Sequence, residues 1–484
     1  VLAPADIDRL REDLLVADFT LDAVSARLGD AALAGLARNS TMAASRVLGR
    51  ADDAQADAIR LWLLQQPVPA ARLNGWGSLP GLTASSLVSA GETIRATVEL
   101  KPHGSERREG WICSDQTPLD GRQTRPGTDF VLGASPASTT LTQLVPPRRF
   151  ARALDLGTGC GIQALHLDAG HIVATDLNPR ALALARISLG LSGVQAELRE
   201  GSLYEPVAGE RFDLILTNPP YVISPPSTER LVYRDGGFAG DDLMREVVTG
   251  ARAHLGPDGL LVVLGNWAVT DRPWQDRLAE WLRPTGCDAL VLQRERLDPY
   301  EYVELWLADA GLTGTAEYSR RYSEWLDYFA AAGIEGVGMG WLALRNSGRA
   351  EPELRLEEWP HAVHQPVGAA FGDFFDAIGP AHLPDAELLG RRWRVHPGVV
   401  QETLGAPGAA DPQHLVLRQQ FGFGRAVEAG TALAAVVGAC DGDLPLGLLV
   451  GAVAGLLDAD PDALRDEVLP QVRRLVEDGY LLPG

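Results

Sequence analysis

Two short stretches of this 484-residue chain combine residue types at spacings that can do chemistry. The first is Ala153-Leu154-Asp155-Leu156-Gly157-Thr158-Gly159-Cys160-Gly161-Ile162-Gln163, an apolar strand pattern running into three alternating glycines and then into a helical pattern. Glycine suits a backbone that turns sharply and lets a ligand approach with no Cβ in the way. A dinucleotide-binding GxGxxG loop needs glycine where this chain has Ile162, so a nicotinamide dinucleotide is disfavoured. Asp176 ends the next apolar run, Val173-Ala174-Thr175-Asp176. It falls about 20 residues after the first glycine, the spacing at which a carboxylate accepts both hydroxyls of a ribose. The plain alternative for Asp176 is a cap on the helix that follows at Asn178-Pro179.

The second stretch is Asn218-Pro219-Pro220-Tyr221, directly after the apolar run Phe212–Thr217. Consecutive prolines remove two backbone donors and stiffen the turn, leaving its carbonyls free to accept. A planar NH2 group can then donate to the side-chain oxygen of Asn218 and to the Pro219 carbonyl, while Tyr221 offers a flat face for stacking. The lone pair of an amide or exocyclic nitrogen is delocalised and weakly nucleophilic. Holding both N–H bonds aims it at an electrophile in line, so catalysis is chiefly positioning and local electrostatics, with no strong general base. In isolation the four residues are an ordinary proline turn; their place after the fourth strand of a sheet that opens with Asp155–Gly161 gives them this role.

The elements that must hold these turns alternate strand and helix through residues 130–345, the mark of a parallel sheet with crossover helices. Strands are predicted at Arg152–Leu156, His171–Thr175, Gln195–Arg199, Phe212–Thr217, Leu260–Leu264, Ala289–Gln293 and Gly336–Leu344, with two aromatic-rich helices inserted at about 298–333. Residues 1–129 form an N-terminal accessory domain: helices to about residue 72, with Thr20 and Asp52 as caps, then an alternating strand Thr93–Leu100, a winged-helix-like sequence of elements. Residues 349–484 form a C-terminal α+β accessory domain, with a strand at His414–Phe423 and a last helix opened by Asp460 and Pro461. The fold class is α/β, a Rossmann-like sheet between two accessory domains.

The strands, the glycine loop, Asp176 and Asn218–Tyr221 resemble class I methyltransferases of the N-methylating branch, and among them the release-factor glutamine methyltransferase family, over about residues 130–345. The resemblance implies a seven-stranded sheet with its last strand antiparallel and a bound S-adenosyl-L-methionine. Around the cofactor it implies Asp155, Gly157, Thr158, Gly159, Gly161, Asp176, Leu177, Ser202, Leu203 and Asn218. Ser202 stands where such enzymes usually place an acid against the adenine amine. At the acceptor it implies Asn218, Pro219, Pro220 and Tyr221, with Asn218 and Tyr221 as the catalytic pair. Asn266-Trp267, after the fifth strand, is expected on the ligand edge, with Trp267 lining the acceptor pocket. Tyr233–Gly237 is either a further pocket wall or a solvated loop. Tyr318, Tyr322, Trp325 and Phe329 share one helical face, either core or a substrate lid.

Composition bounds the partners. A hydrophobic share of 46% and a charged share of 22% are those of an ordinary globular protein. With 64 acidic against 43 basic side chains, net charge −21, the chain repels a phosphate backbone unless its basic residues are segregated. They are scattered in short runs such as Arg107-Arg108, Arg148-Arg149 and Arg391-Arg392, so nucleic acid is not favoured. Three acceptor classes follow: an amide nitrogen of a protein or peptide first, then a small-molecule nitrogen, or a base of tRNA or rRNA. A non-enzymatic cofactor-binding module is opposed by intact Asp155, Asp176 and Asn218. Four separated cysteines with no CxxC pair, no visible signal peptide and no apolar run of about 20 residues point to a cytoplasmic protein without membrane spans. His361 and His364 have no accompanying acid or cysteine cluster, and no metal is expected.

Overall fold

The computed structural model describes residues 2–105, 108–122, 127–226, 240–406 and 414–484. The chain divides into two compact units, residues 1–142 with 149–358, and residues 143–148 with 359–484. The N-terminal residues thus share one compact unit with the segment that carries both turns.

In the first unit, eight strands of the described residues form one sheet: β1 (Phe150–Leu156), β2 (Ala169–Asp176), β3 (Glu197–Glu200), β4 (Phe212–Thr217), β5 (Leu255–Val269), β6 (Asp288–Leu297), β7 (Gly336–Arg345) and β8 (Leu354–Glu358). Their spatial order is β3-β2-β1-β4-β5-β7-β6-β8. Strands β1 to β5 run parallel, and β7 is antiparallel to both its neighbours. The expected seven strands and antiparallel last strand are therefore present. β8 was not expected; it adds to the edge in parallel with β6, where its Leu354 and Leu356 pack on the core. The strand order reverses between β1 and β4, so the ends of β1, β2 and β4 meet at a switch point, where open α/β sheets bind ligands.

Helices α1 (Ile162–His166), α2 (Pro179–Leu191), α3 (Asp242–His254) and α4 (Trp274–Leu282) connect the strands, and α5 (Pro299–Asp309) and α6 (Tyr318–Ala332) are inserted between β6 and β7. On one face, Leu154, Val173, Ile215 and Val263 bury against Met244 and Val247 of α3 and Leu278 of α4. A separate core of Tyr302, Val303, Trp306, Trp325 and Phe329 forms under α5 and α6 and takes in Val222, Ile223 and Ala268.

Ahead of the sheet, Thr20 caps the helix Leu21–Ala37 as expected, accepting from Ala23 N at 3.3 Å. The next cap is Asp53 rather than Asp52, for it is Asp53 that accepts from Ala56 N, at 3.0 Å. The expected strand Thr93–Leu100 is split at Thr97. Thr93–Ala96 becomes the middle strand between Val68–Pro69 and Val88–Ser89, while Val98–Ser105 pairs with Arg108–Asp115 in a hairpin of its own. In chain order Thr93–Ala96 and this hairpin follow the short helices Ala54–Ala58, Ala70–Leu73 and Leu79–Ala84. The second hairpin docks on α2: Cys113 N donates to Ser188 Oγ at 2.9 Å and Trp111 N to Ser192 Oγ at 3.1 Å. A Cβ at Gly110 would lie 2.1 Å from that Ser192 hydroxyl, so the close approach requires glycine there.

The second unit packs the helices Gly368–Ala381, Thr431–Gly438, Leu446–Leu456 and Pro461–Glu477 around a strand, Arg392–Val395, whose Trp393 is fully buried. Asp460 caps the last helix, accepting from Ala463 N at 2.9 Å. The expected strand at 414–423 ends at Gln419, in a meander with Val399–Leu404 and Ala426–Glu428. Among the described residues no helix is long and apolar enough to cross a membrane. The four cysteines are buried free thiols.

Candidate active site

At the end of β1 the chain turns through Gly157, Gly159 and Gly161, with φ of +76°, +55° and +85°. These angles favour glycine at each position, but the surroundings differ. A Cβ at Gly157 or Gly159 would meet nothing within 4 Å, whereas one at Gly161 would press on Ala185 and Leu189 of α2 at 3.3 Å. The first two glycines therefore border open space, and the third lets α1 start against α2. Asp155, 1% exposed, holds the turn: its Oδ2 accepts from Thr158 Oγ1 at 2.6 Å and from Ala164 N at 3.0 Å. The Thr158 hydroxyl is thus engaged inside the turn. Burial pushes the Asp155 carboxyl up to about 6, with Asp176 nearby adding to the shift.

Asp176 ends β2. One carboxylate oxygen accepts from Gly159 N at 2.9 Å and the other from Asn178 N at 2.8 Å. The cap of α2 is Asn178, whose Oδ1 accepts from Arg180 N at 2.9 Å. Asp176 instead ties the glycine turn to the start of α2, and each of its oxygens keeps a further lone pair. Its carboxyl too is raised by burial. Beside it Leu177 is 60% exposed, a large apolar side chain left in solvent at the sheet edge. After β3, Gly201 N donates to the Asp176 carbonyl at 3.1 Å. Ser202 is half-buried, and Leu203 sits at φ +44°, a strained conformation for a bulky residue of the kind that clusters at binding sites.

The described residues of 115–144, which carry no motif, are tied to α1 and α2. Val131 exchanges hydrogen bonds with Asp115, whose carboxylate also pairs with Arg180 of α2. Asn178 Nδ2 donates to the Asp129 carbonyl at 2.9 Å. The helix Pro136–Leu144 follows, tied to α1 through Gln163, which donates to the Ser138 carbonyl and accepts from Thr142 Oγ1, both at 2.9 Å. The overlooked signal was Ser135-Pro136: Ser135 Oγ accepts from Ser138 N at 3.2 Å, a helix start with proline in its first turn.

At the end of β4, Thr217 turns its hydroxyl to the Leu156 carbonyl at 2.7 Å. The next side chain, Asn218, carries an amide oxygen that is buried and accepts no hydrogen bond among the described residues. A buried acceptor left without a donor costs about 1–3 kcal/mol. Pro219 is buried and Pro220 exposed. Half-buried Tyr221 meets Trp306 of α5 edge-on, centroids 6.5 Å apart at 74°. Ile223 is gripped from both sides: its N–H donates to Tyr302 Oη at 2.9 Å, and its carbonyl accepts from Trp325 Nε1 at 2.8 Å. The aromatic stripe of α6 is therefore core at Trp325 and Phe329, both 1% exposed, and it braces the turn from behind.

Trp267 requires a correction. β5 runs on to Val269, five residues past the expected end, so Asn266 and Trp267 lie within the strand and point to opposite faces. Trp267 faces α3 and α4, is 1% exposed, stacks on Trp274 at 5.4 Å and donates to Gln293 Oε1 at 2.9 Å. It is core and does not line an acceptor pocket. Asn266, fully buried, faces α5 and meets Tyr302 Oη at 2.9 Å. The segment Tyr233–Gly237 lies outside the described residues. Among the described residues no group of three His, Cys, Asp or Glu side chains is placed to hold a metal.

A family model described as "Methyltransferase small domain" matches residues 133–280. Two models described as domains of unknown function, DUF7059 and DUF7782, match residues 16–99 and 380–483. The chain is 36% identical over 126 residues to the release factor glutamine methyltransferase of Geobacter sulfurreducens, covering 23% of this chain and 44% of that one. It is 38% identical over 154 residues to that of Deinococcus radiodurans, covering 29% and 52%. With the ribosomal protein uL3 glutamine methyltransferase of Bradyrhizobium diazoefficiens the identity is 36% over 130 residues, covering 24% and 41%. The chain thus spans about half the length of the curated relatives it matches. Among solved structures, a methyltransferase from Pyrococcus furiosus aligns over 48% of this chain and 89% of that chain at 16% identity, with a TM-score of 0.28. The part of the chain that carries the glycine turn, Asp176 and the Asn218–Tyr221 turn is the part that resembles class I methyltransferases of the release factor glutamine methyltransferase type.

Proposed function

We propose that this protein is an S-adenosylmethionine-dependent N-methyltransferase whose acceptor is the carboxamide nitrogen of a protein or peptide side chain. The buried amide oxygen of Asn218 at the end of β4, which accepts no hydrogen bond among the described residues, carries the proposal. The residues at the switch point fit the cofactor: Gly157 and Gly159 leave open space, Asp176 keeps lone pairs for a ribose, and Leu177 and Leu203 flank it with apolar surface. When bound, S-adenosylmethionine supplies a methyl group on a positively charged sulfur. Asn218 accepts one N–H of the acceptor amide and the Pro219 carbonyl a second, which turns the nitrogen lone pair toward that methyl. Tyr221, fixed by Trp306, gives the amide plane a surface to lie on. The acceptor proton leaves once the nitrogen is cationic, so no strong base is needed. The relatives' names point to glutamine as the residue methylated, and we adopt a glutamine side chain as the acceptor.

A nucleobase fits the same turn but is disfavoured by charge. Several basic side chains of the N-terminal region are already paired: Arg60 and Arg72 with Asp57, Arg27 with Asp53, and Lys101 with Glu99. A phosphate backbone would have to compete with these carboxylates. The test is a competition assay with methyl-labelled cofactor in which a glutamine-bearing peptide, tRNA and a panel of small amines are offered together. Label is expected in the peptide; label confined to tRNA or to an amine overturns the proposal.

Cofactor affinity should depend on pH. The Asp155 carboxyl has an ordinary value of 3.8 and is raised to about 6 in the fold. Its contribution to folding is therefore full below about pH 4 and is lost as pH rises through about 6. A cationic ligand favours the charged carboxylate and opposes that loss. Affinity for S-adenosylmethionine is expected to rise between about pH 5 and pH 7, and Asp155→Asn to flatten the rise. Calorimetric titrations across this range check it; a wild-type profile as flat as the variant's uncouples Asp155 from the cofactor.

A further inference from the structure

The helix Leu446–Leu456 of the second unit carries no polar side chain on any face. A helix that is apolar all round belongs in a core, yet only one side of this one is covered. Leu446, Leu449, Val450, Val453 and Ala454 are buried in the core of the second unit. On the other side Leu448 is 61% exposed and Leu456 85%, with Gly451, Ala452 and Gly455 exposed between them. Leu448, Ala452 and Leu456 follow one another at four-residue steps and form a ridge, and Gly451 and Gly455 form a groove beside it. Neither of these glycines is needed by the chain itself. A Cβ at Gly451 or Gly455 would meet nothing within 4 Å, whereas one at Gly447 would lie 3.4 Å from the Leu389 carbonyl oxygen. Glycine inside a helix destabilises it relative to alanine. A groove the fold does not use, beside a ridge of leucine, has the shape of one half of a close helix–helix contact.

The two ends of this helix differ in charge. Arg391 and Arg392 stand at its start, where Leu446 N donates to the Arg391 carbonyl at 2.9 Å and Arg392 pairs with Pro445. Both arginines are exposed and make no ion pair among the described residues. Asp441 and Asp443 share that end, with Asp441 opposite Arg394 in the strand pair. At the other end stand Asp458 and Asp460, both exposed, and the first arginine after them, Arg465, already pairs with Asp462 and Asp466. Two copies laid antiparallel about a two-fold axis put each leucine ridge into the other copy's glycine groove. The same arrangement sets Asp458 and Asp460 of each copy against Arg391 and Arg392 of the other. An anionic lipid surface, by contrast, is repelled by these carboxylates and by the net charge of −21.

We propose that the exposed face of the helix Leu446–Leu456 is a homodimer interface, covered by the same face of a second copy of this chain in antiparallel orientation. The contact is isologous, so ridge and groove are each used twice, and the charges at the helix ends fix its direction.

The test is analytical ultracentrifugation of the full chain over a range of micromolar concentrations, where a dimer that dissociates on dilution is expected. Leu448→Gln and Gly451→Gln should each weaken it about tenfold or more, as changes at the packed centre of an interface do. Gly451→Gln should not lower the melting temperature of the monomer, because its side chain enters open space and a better helix former replaces glycine. Reversed charges then identify the partner and its direction. One set of chains carries Arg391→Glu with Arg392→Glu; the other carries Asp458→Arg with Asp460→Asn, the asparagine keeping the cap on Ala463. Each set should dimerise poorly alone and pair with the other when mixed, since only the mixture sets unlike charges together at both ends. The proposal is overturned by a chain that stays monomeric throughout, by a dimer that both face variants leave intact, or by reversed-charge chains that do not pair preferentially. Each of these outcomes leaves the proposed function standing.

Discussion

Replacing Asn218 by alanine is expected to lower turnover on the amide acceptor by a factor of about a hundred or more, a typical loss for a preorganised polar group. The size follows from the chemistry. An amide nitrogen is a poor nucleophile, and most of what the enzyme can do for it is to hold its N–H bonds so that the lone pair points along the line of attack. In the proposed mechanism Asn218 supplies one of those anchors, and its oxygen is buried and accepts no hydrogen bond among the described residues. The side chain takes no part in the hydrogen bonds that hold the glycine turn or Asp176, so cofactor affinity and melting temperature should change little. Steady-state kinetics with a calorimetric titration of the cofactor separates the two effects. Turnover near wild type would remove Asn218 from the acceptor site.

Asp176→Ala should reduce affinity for S-adenosylmethionine by about 2–3 kcal/mol, the loss expected for charge-assisted hydrogen bonds. Part of the loss is indirect, because the carboxylate also accepts from Gly159 and Asn178 and so holds the glycine turn in shape. Asp176→Asn separates the parts: it keeps one acceptor for the turn while removing the charge that strengthens the bonds to ribose. Calorimetry should rank wild type above asparagine above alanine. Equal affinity in all three, in folded protein, would take Asp176 out of the cofactor site.

The candidate site is legible in the sequence where it depends on local turns. Gly157, Gly159 and Gly161 announce left-handed backbone, Asp176 stands at a fixed spacing after them, and Asn218–Tyr221 is a turn that proline stiffens by itself. What was not readable depends on where strands stop and on pairs far apart in the chain. The expected end of the fifth strand at Leu264 left Trp267 in a loop; five more residues of pairing with β7 put it in the strand and turn its indole into the core. The edge strand Leu354–Glu358 is mostly charged, with only Leu354 and Leu356 apolar, and Thr97 divides a continuous alternation because its two halves find different partners. Tyr302 and Asn266 are 36 residues apart, and Trp325 and Ile223 are 102 apart; no periodicity reports such pairs. Helical spacing placed Trp325 and Phe329 on one face, and burial against Ile223 decides that the face is core.

The central claim is that methyl is delivered to a carboxamide nitrogen. Tandem mass spectrometry tests it most directly, on a glutamine-bearing peptide incubated with the enzyme and S-adenosylmethionine carrying an isotopically heavy methyl group. The expected product carries one heavy methyl, localised by fragmentation to the side-chain nitrogen of glutamine, and is absent with Asn218→Ala over the same time. A heavy methyl on the peptide terminus, on a lysine or on a carboxylate, or an unmodified peptide from an enzyme that binds its cofactor, would contradict it.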